Sequence, residues 1–335
     1  MTDQQAARYR GILTTFAVLV ALWGILGLID HPNVPFSGLH YQNGNVVSFI
    51  YRGSPAEQAG ILVGDRVLSV DGVAAHGRRD VDRMPRPQVG ETQTFVVERD
   101  GEQISLNLTQ AGQPMLQALF SIIGISFLCA GLWAYRKVPT PRTLLLCLAG
   151  IGLGMTISPG PYLPSFVLRM VAQLLSTSLP MLGFACFLLF LLTFPRPKAL
   201  AQNKIVFLLL LGPPVVLAIA DLAFALIGSE ATAGLESLFR LINGILVMLY
   251  LVLGLIAAAH SYFKASKIQR SEWGLNVMLA GLALGILPIL IIDLVVMALG
   301  IDFGGAQYAF TALALVPISL AVAAVKTETA RLRET

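Results

Sequence analysis

The stretch Gly53-Ser54-Pro55-Ala56-Glu57-Gln58-Ala59-Gly60, followed by Gly64-Asp65-Arg66-Val67-Leu68-Ser69-Val70-Asp71-Gly72, decides the fold of the polar part of this 335-residue chain. The first run predicts a short helix, because Ser54 suits the N-cap and Gly60 suits the position after the last turn. Glu57 stands three residues after Ser54, as in a capping box. The second run predicts a strand that ends in an Asp-Gly turn.

Two more strands are predicted on either side of Asp100-Gly101, at 95–99 and 102–108. Apolar residues alternate with polar ones along both runs, as expected for strands with one buried face. The polar segment from Asp30 to Gln113 is therefore predicted to be a small α+β domain.

The pattern Gly-Ser-Pro-Ala-x-x-Ala-Gly-Ile-Leu at 53–62, with Gly-Asp-x-Val-Leu-Ser-Val-Asp-Gly at 64–72, resembles the central signature of bacterial PDZ domains. PDZ domains bind extended peptides by adding them as a strand to an open sheet edge. The resemblance implies a carboxylate-binding loop followed by the strand that pairs with the ligand. The residues concerned are Phe36, Ser37, Gly38 and Leu39 in the loop, and His40 and Tyr41 in the strand.

The second helix of a PDZ domain, which forms the other wall of the groove, corresponds here only to Arg79–Met84 before Pro85 and Pro87. Prolines interrupt helices, so a short helix and a shallow groove are expected. A purely structural or protein-docking role for the domain is the alternative to peptide binding.

Composition places most of the remaining chain in a lipid bilayer, since 56% of residues are hydrophobic, 13% are charged and the mean hydropathy is +0.74. A bilayer core of about 30 Å needs roughly 20 helical residues. About eight spans are expected, at 11–29, 114–135, 143–158, 164–193, 204–228, 237–262, 274–299 and 306–325. The predicted fold class is an α-helical polytopic membrane protein with one small PDZ-like extracytoplasmic domain.

Every second connecting segment is rich in lysine and arginine, whereas the segments between them have few. The positive-inside rule assigns the basic segments to the cytoplasm. Both termini are expected in the cytoplasm of a bacterium, with the PDZ-like domain outside the inner membrane. The net charge of +4 then reports topology, and no nucleic-acid partner is expected. The predicted divisions are an anchor at 1–29, the PDZ-like domain at 30–113, a seven-helix bundle at 114–325 and a tail at 326–335.

No catalytic motif is found in the sequence. A membrane zinc protease needs His-Glu-x-x-His on one helix, and the four histidines, His31, His40, His76 and His260, do not form that pattern. A serine protease needs a nucleophile with a base in reach, and neither an elbow motif nor a lysine at the centre of a span is present. The sequence therefore predicts a protein without enzymatic activity, cofactor or metal.

Ionisable residues inside apolar spans are costly and usually face the interior of a bundle. Asp221 and Asp293 lie in such spans, and Arg169 and Arg240 lie near the same level. A structural ion pair is one interpretation. The other is an intramembrane polar pocket for a ligand beneath the PDZ-like domain.

An anchor, a PDZ-like domain and seven helices together are similar to the input region of certain bacterial sensor histidine kinases. Leu192-Thr193-Phe194-Pro195-Arg196-Pro197 and Leu315-Val316-Pro317-Ile318 are similar to short motifs of those regions. This resemblance implies a non-enzymatic sensor that binds a peptide or small amphipathic ligand and signals to a cytoplasmic kinase or other output protein. The rival hypothesis is a membrane adaptor that recruits envelope proteins to a protease or assembly complex. A transporter or an unrecognised intramembrane enzyme is a third option.

Overall fold

A computed structural model describes residues 9–42, 45–75, 86–113, 115–158, 160–163, 165–227, 233–299 and 306–334. A long apolar helix, α1 (Arg10–Asp30), comes first and ends in a single 3-10 turn (His31–Asn33). The chain then builds a small unit, called here the sheet domain, over residues 35–112. Its elements are β1 (Pro35–Phe36), β2 (Leu39–Gln42), β3 (Val46–Ile50), α2 (Pro55–Gln58), β4 (Arg66–Val70), β5 (Val73–Ala74), β6 (Thr92–Arg99), β7 (Glu102–Thr109) and β8 (Ala111–Gly112).

The main sheet of this domain has the strand order β2-β3-β4-β6-β7, with β5 paired to β4. The longest ladder joins β6 to β7 and sets Phe95 opposite Leu106 and Val97 opposite Ile104. The predicted alternation is confirmed, because Phe95 and Val97 are almost fully buried. They belong to one apolar core, which contains Val47, Ala56, Ile61, Val67, Val70, Ala75, Phe95, Val97 and Leu108.

Both predicted Asp-Gly turns are confirmed by the backbone. Asp71 and Gly72 have φ angles of 51° and 78°, and Asp100 and Gly101 have φ angles of 52° and 83°. Two successive residues with positive φ are typical of the type I′ turn, whose twist matches that of the strands it joins.

The predicted cap of α2 is confirmed in its first half and differs in its second. Ser54 Oγ accepts a hydrogen bond from the Glu57 N–H at 3.4 Å, and Gly60 has a φ of 80° beyond the last turn. The Glu57 carboxylate, however, accepts from the N–H of Gly53. The Ser54 N–H donates to Tyr51 O instead, so the reciprocal bond of a capping box moves one residue upstream.

A two-stranded ribbon joins the sheet domain to the helices. In it β1 pairs antiparallel with β8, with Pro35 opposite Gly112 and Phe36 opposite Ala111. The Gln113 N–H donates to Val34 O at 3.1 Å and extends the pairing toward the helices. The two ends of the domain therefore leave it side by side.

The rest of the described chain is helical. It consists of α3 (Met115–Lys137), α4 (Pro141–Ile157), α5 (Phe166–Thr193), α6 (Ala199–Gln202), α7 (Lys204–Ile227), α8 (Ala233–Lys264), α9 (Lys267–Glu272), α10 (Leu275–Leu299), a 3-10 segment (Ala306–Ala314) and α11 (Leu315–Glu334).

Among the described residues, six helices are long and apolar enough to cross a membrane, and two shorter apolar helices are Pro141–Ile157 and Leu275–Ile289. The protein is thus mostly helical, as predicted. The last predicted span differs in form, because it begins in the 3-10 segment and α11 continues well past residue 325.

Glycines allow α3, α4 and α5 to pack backbone against backbone. A Cβ on Gly131 would lie 2.7 Å from Leu146 O, and a Cβ on Gly152 would lie 2.7 Å from the Cα of Gly183. Gly150 and Gly154, four residues apart, also face α3. Close approach through small residues is the usual means by which helices associate in lipid.

Candidate peptide-binding site

The strand β2 lies at one end of the main sheet. Its neighbour in the described sheet is β3, with Leu39 opposite Ile50 and His40 opposite Phe49. A strand at the end of a sheet presents backbone groups to which an extended peptide can pair. The predicted strand is therefore present at Leu39–Gln42, while its binding of a peptide stays a prediction.

The loop that enters β2 is held by hydrogen bonds to its carbonyl groups. Ser37 O accepts from the Ala56 N–H and Gly38 O accepts from the Tyr51 N–H, both at 3.0 Å. Gly38 is buried with a φ of 79°, and an added Cβ would overlap Ser54. Positive φ and close contact together require glycine here.

These contacts explain why the Gly-Ser-Pro-Ala motif accompanies this kind of loop. Ser54 caps α2 and fills the space beside Gly38, while the first turn of α2 supplies the amide that fixes Ser37. The amide of Leu39 already donates to Ser37 Oγ at 3.3 Å. A peptide carboxylate that uses this amide would replace the serine hydroxyl as its acceptor.

An aromatic patch lies beside the edge strand and is defined by Phe36, His40, Phe49 and Tyr51. The Tyr51 ring centroid is 5.6 Å from Phe36, 5.4 Å from His40 and 5.1 Å from Phe49. Phe49 and Tyr51 are 51% and 42% exposed. Phe36 and His40 were predicted in the peptide site, but the patch was missed, because Phe49 in β3 and Tyr51 directly after it supply the other rings.

The remaining parts of the predicted groove are only partly visible. Tyr41 lies in β2, and its side chain is outside the described residues. The predicted second wall, Arg79–Met84 with Pro85, also lies outside them, and the description resumes at Arg86.

A buried ion pair fixes the turn between α2 and β4. Arg99 donates to both carboxylate oxygens of Asp65, at 2.8 and 2.7 Å, and to Gly60 O at 2.8 Å. Burial acts to raise the pKa of Asp65, but the hydrogen bonds from Arg99 and from the Leu62 N–H outweigh it and hold that pKa below its ordinary value. This pair was missed because its residues are far apart in sequence.

Tyr162, in the loop between α4 and α5, forms hydrogen bonds both to the end of α1 and to the sheet domain. Tyr162 donates its backbone N–H to Asp30 Oδ2 at 2.7 Å and its hydroxyl to Arg86 O at 2.9 Å. The Arg86 guanidinium stacks over the Tyr162 ring with its carbon 5.5 Å from the centroid. Burial, followed by the nearby charge of Arg169, lowers the pKa of Arg86.

Two of the four intramembrane polar residues have side chains that the structure describes. Arg169 is half-buried in the first turn of α5 and donates to Leu163 O at 3.4 Å. Asp221 is half-buried in α7, which packs against α5. Arg240 and Asp293 lie in α8 and α10, but their side chains are outside the described residues, so the polar pocket stays a prediction.

A serine and a lysine meet at the end of α5 farthest from the sheet domain. Lys198 Nζ donates to Leu191 O at 2.8 Å, to Phe194 O at 3.2 Å and to Ser261 Oγ at 2.8 Å. Burial lowers the pKa of Lys198 to about 8. Because the amine is shared with two main-chain carbonyls, the geometry is that of a helix cap.

The same end of the bundle contains a buried carboxylate. Arg142 Nη1 donates to Glu328 Oε1 at 2.6 Å, and Arg331 lies 3.0 Å from the other oxygen. Arg142 also donates to Thr193 O at 3.0 Å. These contacts connect α4, α5 and α11, and no local motif in the sequence indicated them.

Comparison with known proteins identifies the sheet domain. A PDZ-domain family model matches residues 46–99. A Mesorhizobium japonicum protein named as a candidate zinc metalloprotease is 31% identical over 99 residues, which cover 30% of this chain and 26% of that protein. Similarly named proteins of Brucella suis and Brucella melitensis are 38% identical over 61 residues, or 18% of this chain and 16% of theirs.

A solved structure of an HtrA-type protease, an AlgW variant with a decapeptide, is 26% identical and covers 28% of this chain and 34% of that one. Its TM-score is 0.24. This chain spans about a quarter of the first relative and less of the two Brucella proteins.

These findings confirm the PDZ domain and overturn the sensor hypothesis. The matching relatives bear the names of zinc metalloproteases and not of sensors, so the predictions of a non-enzymatic sensor and of a protein without enzymatic activity are wrong. The reason is physical: strand addition to a PDZ edge serves sensors and proteases equally, so the motif does not distinguish them. The resemblance to kinase input regions stays unconfirmed.

Proposed function

We propose that this protein has a protease-type function in a bacterial inner membrane, and that its PDZ domain recruits extended segments of envelope proteins to a protease or assembly complex. The observation that carries the proposal is the terminal position of β2 beside a glycine loop that is fixed by α2. The names of the relatives supply the proteolytic context. The bound segment would pair with β2, and its carboxylate would meet the amides of Phe36–Leu39.

The arrangement in the membrane belongs to the same proposal. Residues 1–29 anchor the chain, residues 30–113 face the periplasm or exterior, residues 114–325 form the seven-helix bundle, and residues 326–335 lie in the cytoplasm. Lysine and arginine near the end of α3 and the start of α7 support this orientation. The two shorter apolar helices would complete the eight spans.

Peptide binding by the full chain in lipid nanodiscs tests the recruiting role. A peptide library with free C-termini is compared with the same peptides amidated. We expect at least about tenfold weaker binding after amidation, since a charge-assisted hydrogen bond contributes about 1.5–3 kcal/mol. Equal binding of the two sets would show that the loop does not recognise a carboxylate.

Two glycine variants distinguish damage to the peptide-binding loop from the general strain of alanine at a positive φ. Gly38→Ala introduces a methyl group against Ser54, whereas Gly72→Ala introduces one at a similar φ of 78° with open space around it. We expect Gly38→Ala to abolish peptide binding and Gly72→Ala to preserve it. Affinity purification from native membranes should show an envelope protease lost only with Gly38→Ala. The proposal would be refuted if Gly38→Ala still bound the peptide and still co-purified with the protease.

A further inference from the structure

The aromatic patch of the sheet domain lies close to the end of a candidate membrane span. The span Arg10–Asn33 has 24 residues, which is about 36 Å of helix, and the hydrocarbon core is about 30 Å thick. Its last turn therefore reaches the headgroup layer. Phe36 follows Asn33 by only three residues, or about 10 Å of extended chain.

Ring contacts extend this proximity to the whole patch. Tyr51 lies 5.6 Å from Phe36, and the other two rings, His40 and Phe49, lie 5.4 and 5.1 Å from Tyr51. All four rings are thus connected to the membrane helix through Phe36, either directly or through their contacts with Tyr51. The ribbon of β1 and β8 limits how far Phe36 can move away, because both strands connect directly to membrane helices.

The chemistry of the patch matches that of the headgroup layer. Phe49 and Tyr51 leave about half of their area exposed, an arrangement that costs free energy in water. Tyrosine rings partition to the bilayer interface, where one end is apolar and the other wet. Arg52 follows directly and is exposed, so its guanidinium can reach lipid phosphates.

We propose that Phe36, His40, Phe49, Tyr51 and Arg52 form a lipid-contact surface that seats the sheet domain in the headgroup layer. This inference goes beyond the proposed function and does not depend on peptide binding. Contact with the membrane then helps to fix the orientation of the β2 edge, together with the hydrogen bond from Tyr162 to Arg86 O.

Fluorescence of the full chain in nanodiscs tests this surface. A polarity-sensitive probe is attached through Phe49→Cys in a Cys129→Ser background, since Cys147 and Cys186 are buried. The matched control is Leu62→Cys. Leu62 is 52% exposed, against 51% for Phe49, and it lies near Arg99, at the end of β6 opposite the ribbon.

A lipid with a nitroxide on its headgroup should quench the Phe49→Cys probe at least twofold more than the Leu62→Cys probe. Iodide in the water should quench them in the reverse order. In anionic lipid, Arg52→Gln should reduce the lipid quenching, which gives a second readout without a change in the patch itself.

Equal quenching of the two probes by the lipid would overturn the proposal. It would also be overturned if the Phe49→Cys probe became shielded only after a peptide was added, because the patch would then be a protein-binding surface. Tyr51→Cys provides a second labelling position if Phe49→Cys fails to fold, with the same two outcomes.

Discussion

The sheet domain closes its core with branched and aromatic side chains, whereas α3, α4 and α5 approach each other through glycines. Val67 and Val97 are fully buried in the first region, and Gly152 and Gly183 meet backbone to backbone in the second. Water drives apolar side chains together, but lipid does not, so helices in lipid gain stability from close backbone contact. Loss of a buried charge should therefore destabilise the sheet domain most, and an added methyl group between helices should destabilise the bundle.

The largest expected effect is in the sheet domain, from Asp65→Ala. The substitution leaves Arg99 without its carboxylate and Leu62 N–H without its acceptor. Breaking a buried pair in this way should lower the free energy of unfolding by about 3 kcal/mol. Urea titration of the nanodisc-embedded chain, followed by limited proteolysis within residues 46–99, measures it. A shift in the midpoint for the bundle instead would mean that the two regions do not unfold separately.

The next effect is in the bundle, from Gly152→Ala. The new methyl group would lie 2.5 Å from Leu179 O, so α4 and α5 must separate, at about 2 kcal/mol. The control is Gly244→Ala, which has open space and should be neutral or slightly stabilising because alanine favours helix. Thermal unfolding in detergent compares the two. Equal melting temperatures would contradict glycine-mediated packing.

Acid should lower the free energy of unfolding of the sheet domain, by less than Asp65→Ala does. Since the folded state holds the pKa of Asp65 below its ordinary value of about 3.9, the contribution is complete above that value. It is lost as pH falls through the lower, folded-state pKa. In a series from pH 7 to pH 2, the urea concentration at the unfolding midpoint should decrease once the pH is below about 4. Asp65→Asn should make this decrease smaller. A profile unchanged in Asp65→Asn would assign the acid response to other carboxylates.

The smallest effect comes from an exposed ion pair in the same sheet. Arg66 and Glu98 are 3.8 Å apart, with side chains 58% and 43% exposed. Glu98→Gln should change stability by less than about 0.5 kcal/mol, because water screens exposed pairs. The same urea assay provides the comparison with Asp65→Ala. A loss as large as that of Asp65→Ala would show that burial does not set the strength of these pairs.

Local rules predicted much of the sheet domain. The cap at Ser54 and the turns at Asp71 and Asp100 depend on neighbouring residues, and each appeared where expected. Contacts between distant residues were not predictable in this way. Arg142 and Glu328 are 186 positions apart, and nothing in the surroundings of either residue identifies the other.

In the candidate site, too, local features were predicted and contacts between separate segments were not. The resemblance located β2 and the glycine loop, but not the two rings of the aromatic patch that Phe49 in β3 and Tyr51 after it supply. The function followed neither from propensity nor from spacing, because the PDZ signature describes a means of binding and leaves open what happens to the ligand. Relatives with protease names supply the context for the function proposed above.

The ribbon of β1 and β8 gives the sheet domain the character of an interchangeable cassette. Its entry and exit strands are neighbours, and α1 packs directly on α3. A single in-frame exchange of residues 37–110 would therefore leave a closed helical hairpin with the same spacing between its arms. Recognition can therefore change by exchange of one continuous segment, while the contacts between α1 and α3 are retained.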